Sequence, residues 1–384
     1  MFSRRLAWDA RPNPLSLLLE RKRREGARIF DLTESNPTRA GIEYPESAIL
    51  DALAQPAALR YDPAPCGLES GRQAVSQYYA ARGVDIEPSR IFLTASTSEA
   101  YAYLFKLLAD PGCEILIPRP SYPLFEFLAR LESVVARPYP LRYDGIWHID
   151  FESLENLITP QTKAIVVVNP NNPTGSFLKR EEAKRLRSLA ARDVAIISDE
   201  VFSDYGFGED PNRVSTLAQP GGALTFCLGG LSKLVGLPQM KLAWIVAGGP
   251  HHETAMARLE WIADTYLSVA TPIQVALPRI LETCAGVRSQ IQRRTTSNLE
   301  LLRARMRAAP VSLLQIEGGW YATLQIPRTR PEEEWVVSFL ENCDVLVQPG
   351  FFYDFESEAF VVLSLLTAPQ IFEEGLARLR PALS

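Results

Sequence analysis

Lysine is scarce in this chain. Among 40 basic residues only Lys22, Lys106, Lys163, Lys179, Lys184, Lys233 and Lys241 are lysines, so chemistry that needs an amine has few candidates. Histidine is scarcer, with His148, His251 and His252 alone. That argues against a histidine-rich metal site and against a Ser-His-Asp triad, and no metal is expected. The five cysteines, Cys66, Cys113, Cys227, Cys284 and Cys343, form no C-x-x-C pair. An odd, scattered set fits buried thiols in a reducing compartment, which points to the cytoplasm. No apolar run approaches the ~20 residues of a membrane helix, and residues 17–19 are too short for the apolar segment of a signal peptide. Neither a P-loop nor G-x-G-x-x-G occurs, so nucleotide binding has no support. A net charge of −5 offers no surplus for a polyanion. The basic cluster 21–24 reads as a solvated helix face. Nucleic acid and membrane are therefore not expected partners.

What is present is strand alternating with helix. At ~150 residues per domain, 384 residues predict more than one unit. Residues 90–94 (RIFLT), 114–118 (EILIP), 163–168 (KAIVVV) and 194–198 (VAIIS) read as buried strands. Residues 98–108, 124–131 and 179–191 read as helices between them. This spacing predicts βαβ units and an α/β fold with a mainly parallel sheet flanked by helices. Three helices follow, at 251–263, 273–283 and 287–308. Short strands near 312–316, 321–326, 345–347 and 360–365 then mix with helices at 331–342 and 371–380, which predicts a smaller α+β domain. The expected division is an arm at 1–44 that also serves the small domain, a large domain at 45–275 and a small one at 276–384. Pro12, Pro14 and Pro37 make the first 40 residues read as an arm outside the sheet.

Ligands of such sheets bind beyond the carboxyl ends of the strands. There the sequence places Ala95-Ser96-Thr97-Ser98, Pro120-Ser121-Tyr122, Asn169 to Gly175 (NPNNPTG), Asp199-Glu200 and Gly229-Gly230-Leu231-Ser232-Lys233. Pyridoxal phosphate needs a lysine for an imine, an acid on its ring nitrogen, a phosphate cradle and a flat group against its ring. Lys233 supplies the amine and Asp199 the acid. Ser96, Thr97 and Ser98, opening a helix, suit the phosphate. Asp199 also reads as a helix cap, NPNNPTG as a turn and Trp320 as a core aromatic.

NPNNPTG, SDEVFSDY (198–205) and LSKLVGLPQMKLAW (231–244) resemble the class I/II aminotransferases of the aspartate aminotransferase superfamily, pyridoxal-phosphate fold type I. YDPAPCGLESGRQAVSQYY (61–79), PSYPLF (120–125), EGGWYATLQIP (317–327) and VLVQPGFFYDF (345–355) extend the likeness in the same order. The resemblance implies a large domain that holds pyridoxal 5′-phosphate, a small domain built from both chain ends, and a homodimer. It implies that Lys233 carries the cofactor as an internal aldimine, with Ser232 beside it, and that Asp199 pairs the pyridine nitrogen. Asn172 would donate to the ring 3-oxygen and Tyr122 would stack on the ring. Tyr61 would reach the phosphate of the neighbouring subunit. Asn36 and Trp320 would lie near the substrate.

Three departures stand out. Phe202 replaces a tyrosine that donates to the 3-oxygen, which is expected to raise the pKa of the imine. Gly230 and Lys241 replace a phosphate-binding serine and arginine, and Lys241 keeps the charge without the bidentate fork. Val362 replaces the arginine that clamps the substrate carboxylate. Arg39, Arg328 or Arg330 could take its place, or the substrate is held without a cation. The implied activity is amino-group exchange between an amino acid, or a related amine, and a 2-oxo acid. β-Elimination, decarboxylation, oxidative deamination and a non-catalytic cofactor sensor are the alternatives.

Overall fold

The computed structural model describes residues 2–8, 11–191, 193–219, 221–307 and 309–383. Thr162–Val168 carries three successive valines, and Ala164 to Val167 are buried on both faces. Such a strand belongs inside a sheet covered by helices on both sides. It is central in an eight-stranded sheet. The order is Ile91–Thr94, Ala243–Gly248, Thr225–Gly230, Ala195–Asp199, Thr162–Val168, Glu114–Arg119, Val135–Tyr143 and Trp147–Ile149. Pairing is parallel except around Ala243–Gly248 and at the Trp147–Ile149 edge. Helices Thr97–Leu108 and Leu124–Leu131 cover one face, and Arg180–Ala190 the other.

The C-terminal region builds a four-stranded antiparallel sheet, ordered Ser312–Leu313, Tyr321–Gln325, Phe360–Ser364 and Gln348–Pro349. Helix Ala285–Met306 leads into it. Ala308, the end of the helix expected over 287–308, lies outside the described residues. The first 40 residues stay outside the eight-stranded sheet but hold regular structure of their own. Pro14–Arg24 is a helix, and Phe30–Asp31 pairs in parallel with Val345–Leu346. Within the basic cluster, Lys22 is buried rather than solvated. Its ammonium donates to Glu341 O at 2.7 Å and Asp344 Oδ1 at 2.6 Å. The stem can be buried because the charge is paired.

Two segments join the sheets. Glu317, 7% exposed, takes an ion pair from Lys179 and accepts from Phe177 N at 3.0 Å, with Arg213 Nε at 3.5 Å. Gly318 pairs with Gly206, and a Cβ on Gly318 would lie 2.5 Å from Tyr205 O. Only glycine lets these backbones approach so closely. The other join is Ser121 N donating to Tyr353 O at 3.0 Å, beside the Arg119–Asp354 pair.

Candidate active site

Strand register assembles the site. Asp199 is opposite Val168 on one side and Leu228 on the other. Thr94 and Gly230 both face Ala243. The chain segments that leave these positions therefore emerge at one edge of the sheet. They carry the 96–98 helix start, the NPNNPTG loop, Asp199 and Lys233.

Asp199 ends its strand and is not a helix cap. Its Oδ1 accepts from Val201 N at 3.2 Å and its Oδ2 from the Tyr101 hydroxyl at 3.0 Å. Burial pushes its carboxyl up to about 6, against the pull of these donors and the Lys233 charge. Lys233 lies in the short helix Leu231–Leu234. Burial pulls its ammonium down to about 8, and Asp199 partly restores it. An acid raised and an amine lowered beside each other mark a functional site. The Lys233 ammonium is 5.0 Å from the centre of the Trp320 ring and 5.6 Å from that of Phe202. The Tyr205 hydroxyl donates to the backbone carbonyls of Lys233, at 2.7 Å, and Leu234, at 3.2 Å. It holds the lysine's backbone, not its amine.

Ser96 caps helix Thr97–Leu108, its Oγ accepting from Glu99 N at 3.1 Å. That contact uses the oxygen as acceptor and leaves the O–H able to donate. The helix start also presents backbone N–H groups and the positive end of the dipole, a setting for phosphate. The three loop asparagines divide their work. Asn169 donates to Val214 O at 2.7 Å and accepts from Leu178 N at 2.9 Å. Asn171 donates to Pro120 O at 3.2 Å. Asn172 has a buried Oδ1 without a partner. The loop is thus more than a turn. Asn169 is satisfied on both sides of its amide, whereas Asn171, like Asn172, keeps a buried Oδ1 without a partner.

Tyr122 is 47% exposed, at the start of the segment that leads into helix Leu124–Leu131. Lys241 is exposed, in a left-handed turn at φ 51°. A Cβ on Gly230 would come 2.9 Å from that of Ala243. The side chain missing at 230 is thus matched by the methyl across the strand.

Other candidates fall elsewhere. Tyr61 is 81% exposed and lines a cleft with Asp62, Tyr103 and Gln274. Asn36 caps its own turn, its Oδ1 accepting from Thr38 N at 3.1 Å and Thr38 Oγ1 at 2.8 Å. Arg39 is exposed. Arg328 donates to Ser357 at 3.3 Å, and Arg330 stacks 3.7 Å over Trp335, whose indole belongs to the C-terminal core. Each guanidinium thus has a partner in the C-terminal region. Val362 is fully buried between Thr323 and Gln348. Among the described residues no three His, Cys, Asp or Glu side chains are grouped as metal ligands.

Sequence reasoning missed Tyr101. Its signal was a phenol on a buried helix face, which needs an acceptor; its side chain is 3% exposed. The acceptor, Asp199, comes from a strand about a hundred residues later, so spacing could not reveal it.

The fold and this lysine–aspartate site define a pyridoxal-phosphate enzyme of fold type I. The chain belongs to the aminotransferase class I and II family, whose model matches residues 28–371. It is 28% identical over 362 residues to glutamate-pyruvate aminotransferase AlaA of Escherichia coli, covering 90% of this chain and 87% of that protein. It is 33% identical over 245 residues to S-alkyl-thiohydroximate lyase of Arabidopsis thaliana, covering 62% and 52%. An alanine aminotransferase structure from Pyrococcus furiosus superposes with a TM-score of 0.90 at 24% identity, over 100% of this chain and 99% of that one. The protein is a pyridoxal-phosphate-dependent aminotransferase. Its own residues fit the cofactor: a buried amine and a buried acid that feel each other's charge, and a capped helix start suited to phosphate.

Proposed function

We propose that this enzyme exchanges an amino group between an amino-acid donor and a 2-oxo acid, with Lys233 as the cofactor-bearing amine. The buried Asp199 at its strand end and the buried Lys233 just beyond the neighbouring strand, each feeling the other's charge, carry the reading. When bound, pyridoxal phosphate supplies an electron sink for the substrate Cα. Asp199 holds a proton on the ring nitrogen, and Tyr101 and Val201 N keep its carboxylate aimed. Lys233, with its amine pushed toward the neutral form by burial, would move the proton at the substrate Cα. Thr97 and Ser98, with Ser96 and Ser232, bind the phosphate at the helix start, and Lys241 adds charge. Tyr122 covers the ring at the rim, and Asn172 donates to the 3-oxygen. Phe202 contributes packing alone.

The two pKa shifts set a pH dependence. The amine attacks only when neutral. Below about 8 its neutral fraction falls tenfold per unit, and below about 6 Asp199 is also protonated. Cofactor capture by the cofactor-free protein should therefore rise from pH 6 to 8 and level off above. Stopped-flow absorbance measures this. A rate still climbing at pH 10 would place the amine at its ordinary value.

No arginine holds the substrate carboxylate at position 362, where Val362 is buried opposite Thr323 and Gln348. We place the large domain at 45–275 and the small one at 276–384 with the 1–44 segment. The protein works as a cytoplasmic homodimer in which Tyr61 reaches the partner's cofactor phosphate. Its exposure on the single chain supports this, as does that of Leu59 at 90%. Sedimentation should give two chains per particle, and an active monomer would reject it.

A lyase reaction is the second reading. It is favoured by Phe202, Val362 and the name of the Arabidopsis relative. Incubation with L-glutamate and pyruvate separates the two. Exchange yields alanine and 2-oxoglutarate without ammonia, whereas elimination from a β-substituted amino acid yields ammonia.

A further inference from the structure

Trp320 has a polar atom that the protein leaves unsatisfied. Its side chain is wholly buried, and the indole Nε1 has no hydrogen-bond partner. A buried donor without an acceptor costs about 1–3 kcal/mol, and native proteins keep few of them. The ring is held in place from several sides. It packs edge-on against Phe202 at 5.3 Å and Tyr205 at 5.2 Å between centroids. Leu365 N donates to its carbonyl at 2.7 Å, and Gly319 N to Tyr205 O at 2.8 Å. Glu317, just before it, is locked by Lys179, Phe177 N and Arg213. The Lys233 ammonium is 5.0 Å from the ring centre.

The same corner lacks a donor at residue 202. Phe202 is 4% exposed and carries no hydroxyl. Tyr205, the nearby phenol, spends its proton on the carbonyls of Lys233 and Leu234. An unplaced donor and a missing donor thus lie on two rings in contact.

We infer that Trp320 donates its indole N–H to the ring 3-oxygen of pyridoxal phosphate, supplying with Asn172 the donor that Phe202 cannot. This rests on Lys233 being the cofactor lysine. Trp320 is then a cofactor ligand rather than a core aromatic or a substrate contact. A donor on this oxygen stabilises its anion and lets the neighbouring nitrogen release its proton at lower pH.

The test is a spectroscopic cycle on the holoenzyme: wild type, Trp320→Phe, Phe202→Tyr and the double variant. The readout is the pH midpoint of the bound cofactor's visible band. Trp320→Phe should raise the midpoint by about one to two units, the worth of a hydrogen bond to a charged oxygen. Phe202→Tyr alone should move it by less than half as much, because a donor is already present. Phe202→Tyr in the Trp320→Phe background should restore it. An unmoved midpoint in Trp320→Phe overturns the inference, as would full additivity; the indole edge would then be satisfied by the aromatic faces beside it. If Trp320→Phe does not fold, Phe202→Tyr decides alone, and a drop of a full unit or more rejects the role. Failure of the underlying reading looks different: borohydride would then fix the cofactor to a residue other than Lys233, whatever the midpoints.

Discussion

Lys233→Ala should lower amino-group exchange by at least about 10⁴-fold and abolish the cofactor band near about 420 nm. Two functions go together. The amine that anchors the cofactor is lost, and so is the base that moves the Cα proton, itself typically worth 10²–10⁴-fold. The fold should survive. Tyr205 grips the Lys233 carbonyl rather than the side chain, so alanine keeps that contact. Removing a buried ammonium also removes its desolvation cost. Coupled assay of 2-oxo acid formation, with circular dichroism as the folding control, reads both. Retained exchange above a hundredth of wild type would mean another group moves the proton.

Amines and their parent amino acids should react at similar rates. An arginine–carboxylate pair in a dry pocket is typically worth ~2–5 kcal/mol by truncation. That is roughly 30- to 4,000-fold at 1.4 kcal/mol per decade. Val362 offers none of this, and the sheet around it is filled by Thr323 and Gln348. We expect amino acids to exceed matching amines by less than about 30-fold in kcat/KM. A preference of a thousandfold would show that a cation does reach the carboxylate. Arg39, exposed beyond the Asn36–Pro37 turn, is the first to replace by alanine in that event.

The parallel sheet was legible because its strands are continuous β-branched runs, as in Thr162–Val168. Helix Leu124–Leu131 was legible to the residue from its periodicity. The helix face at 21–24 was legible, but not its start at Pro14 nor the burial of Lys22, which depends on Glu341 and Asp344 far along the chain. At the site, the placement of Asp199 and Lys233 was legible because Asp199 closes an apolar strand and Lys233 follows three residues after another. Roles fixed by tertiary contact were not. Tyr101 depends on Asp199, Tyr205 on the Lys233 backbone, and the clamp on Glu317 on Lys179 and Arg213. The partners of Arg328 and Arg330, Ser357 and Trp335, were hidden for the same reason.

Borohydride reduction of the holoenzyme, followed by peptide mapping, tests the central assignment most directly. Reduction freezes the cofactor on whichever amine holds it. The account predicts one pyridoxyl group per chain, on Lys233, in the peptide that contains Leu231-Ser232-Lys233. A pyridoxyl group on Lys241, or on any of the other five lysines, would contradict it.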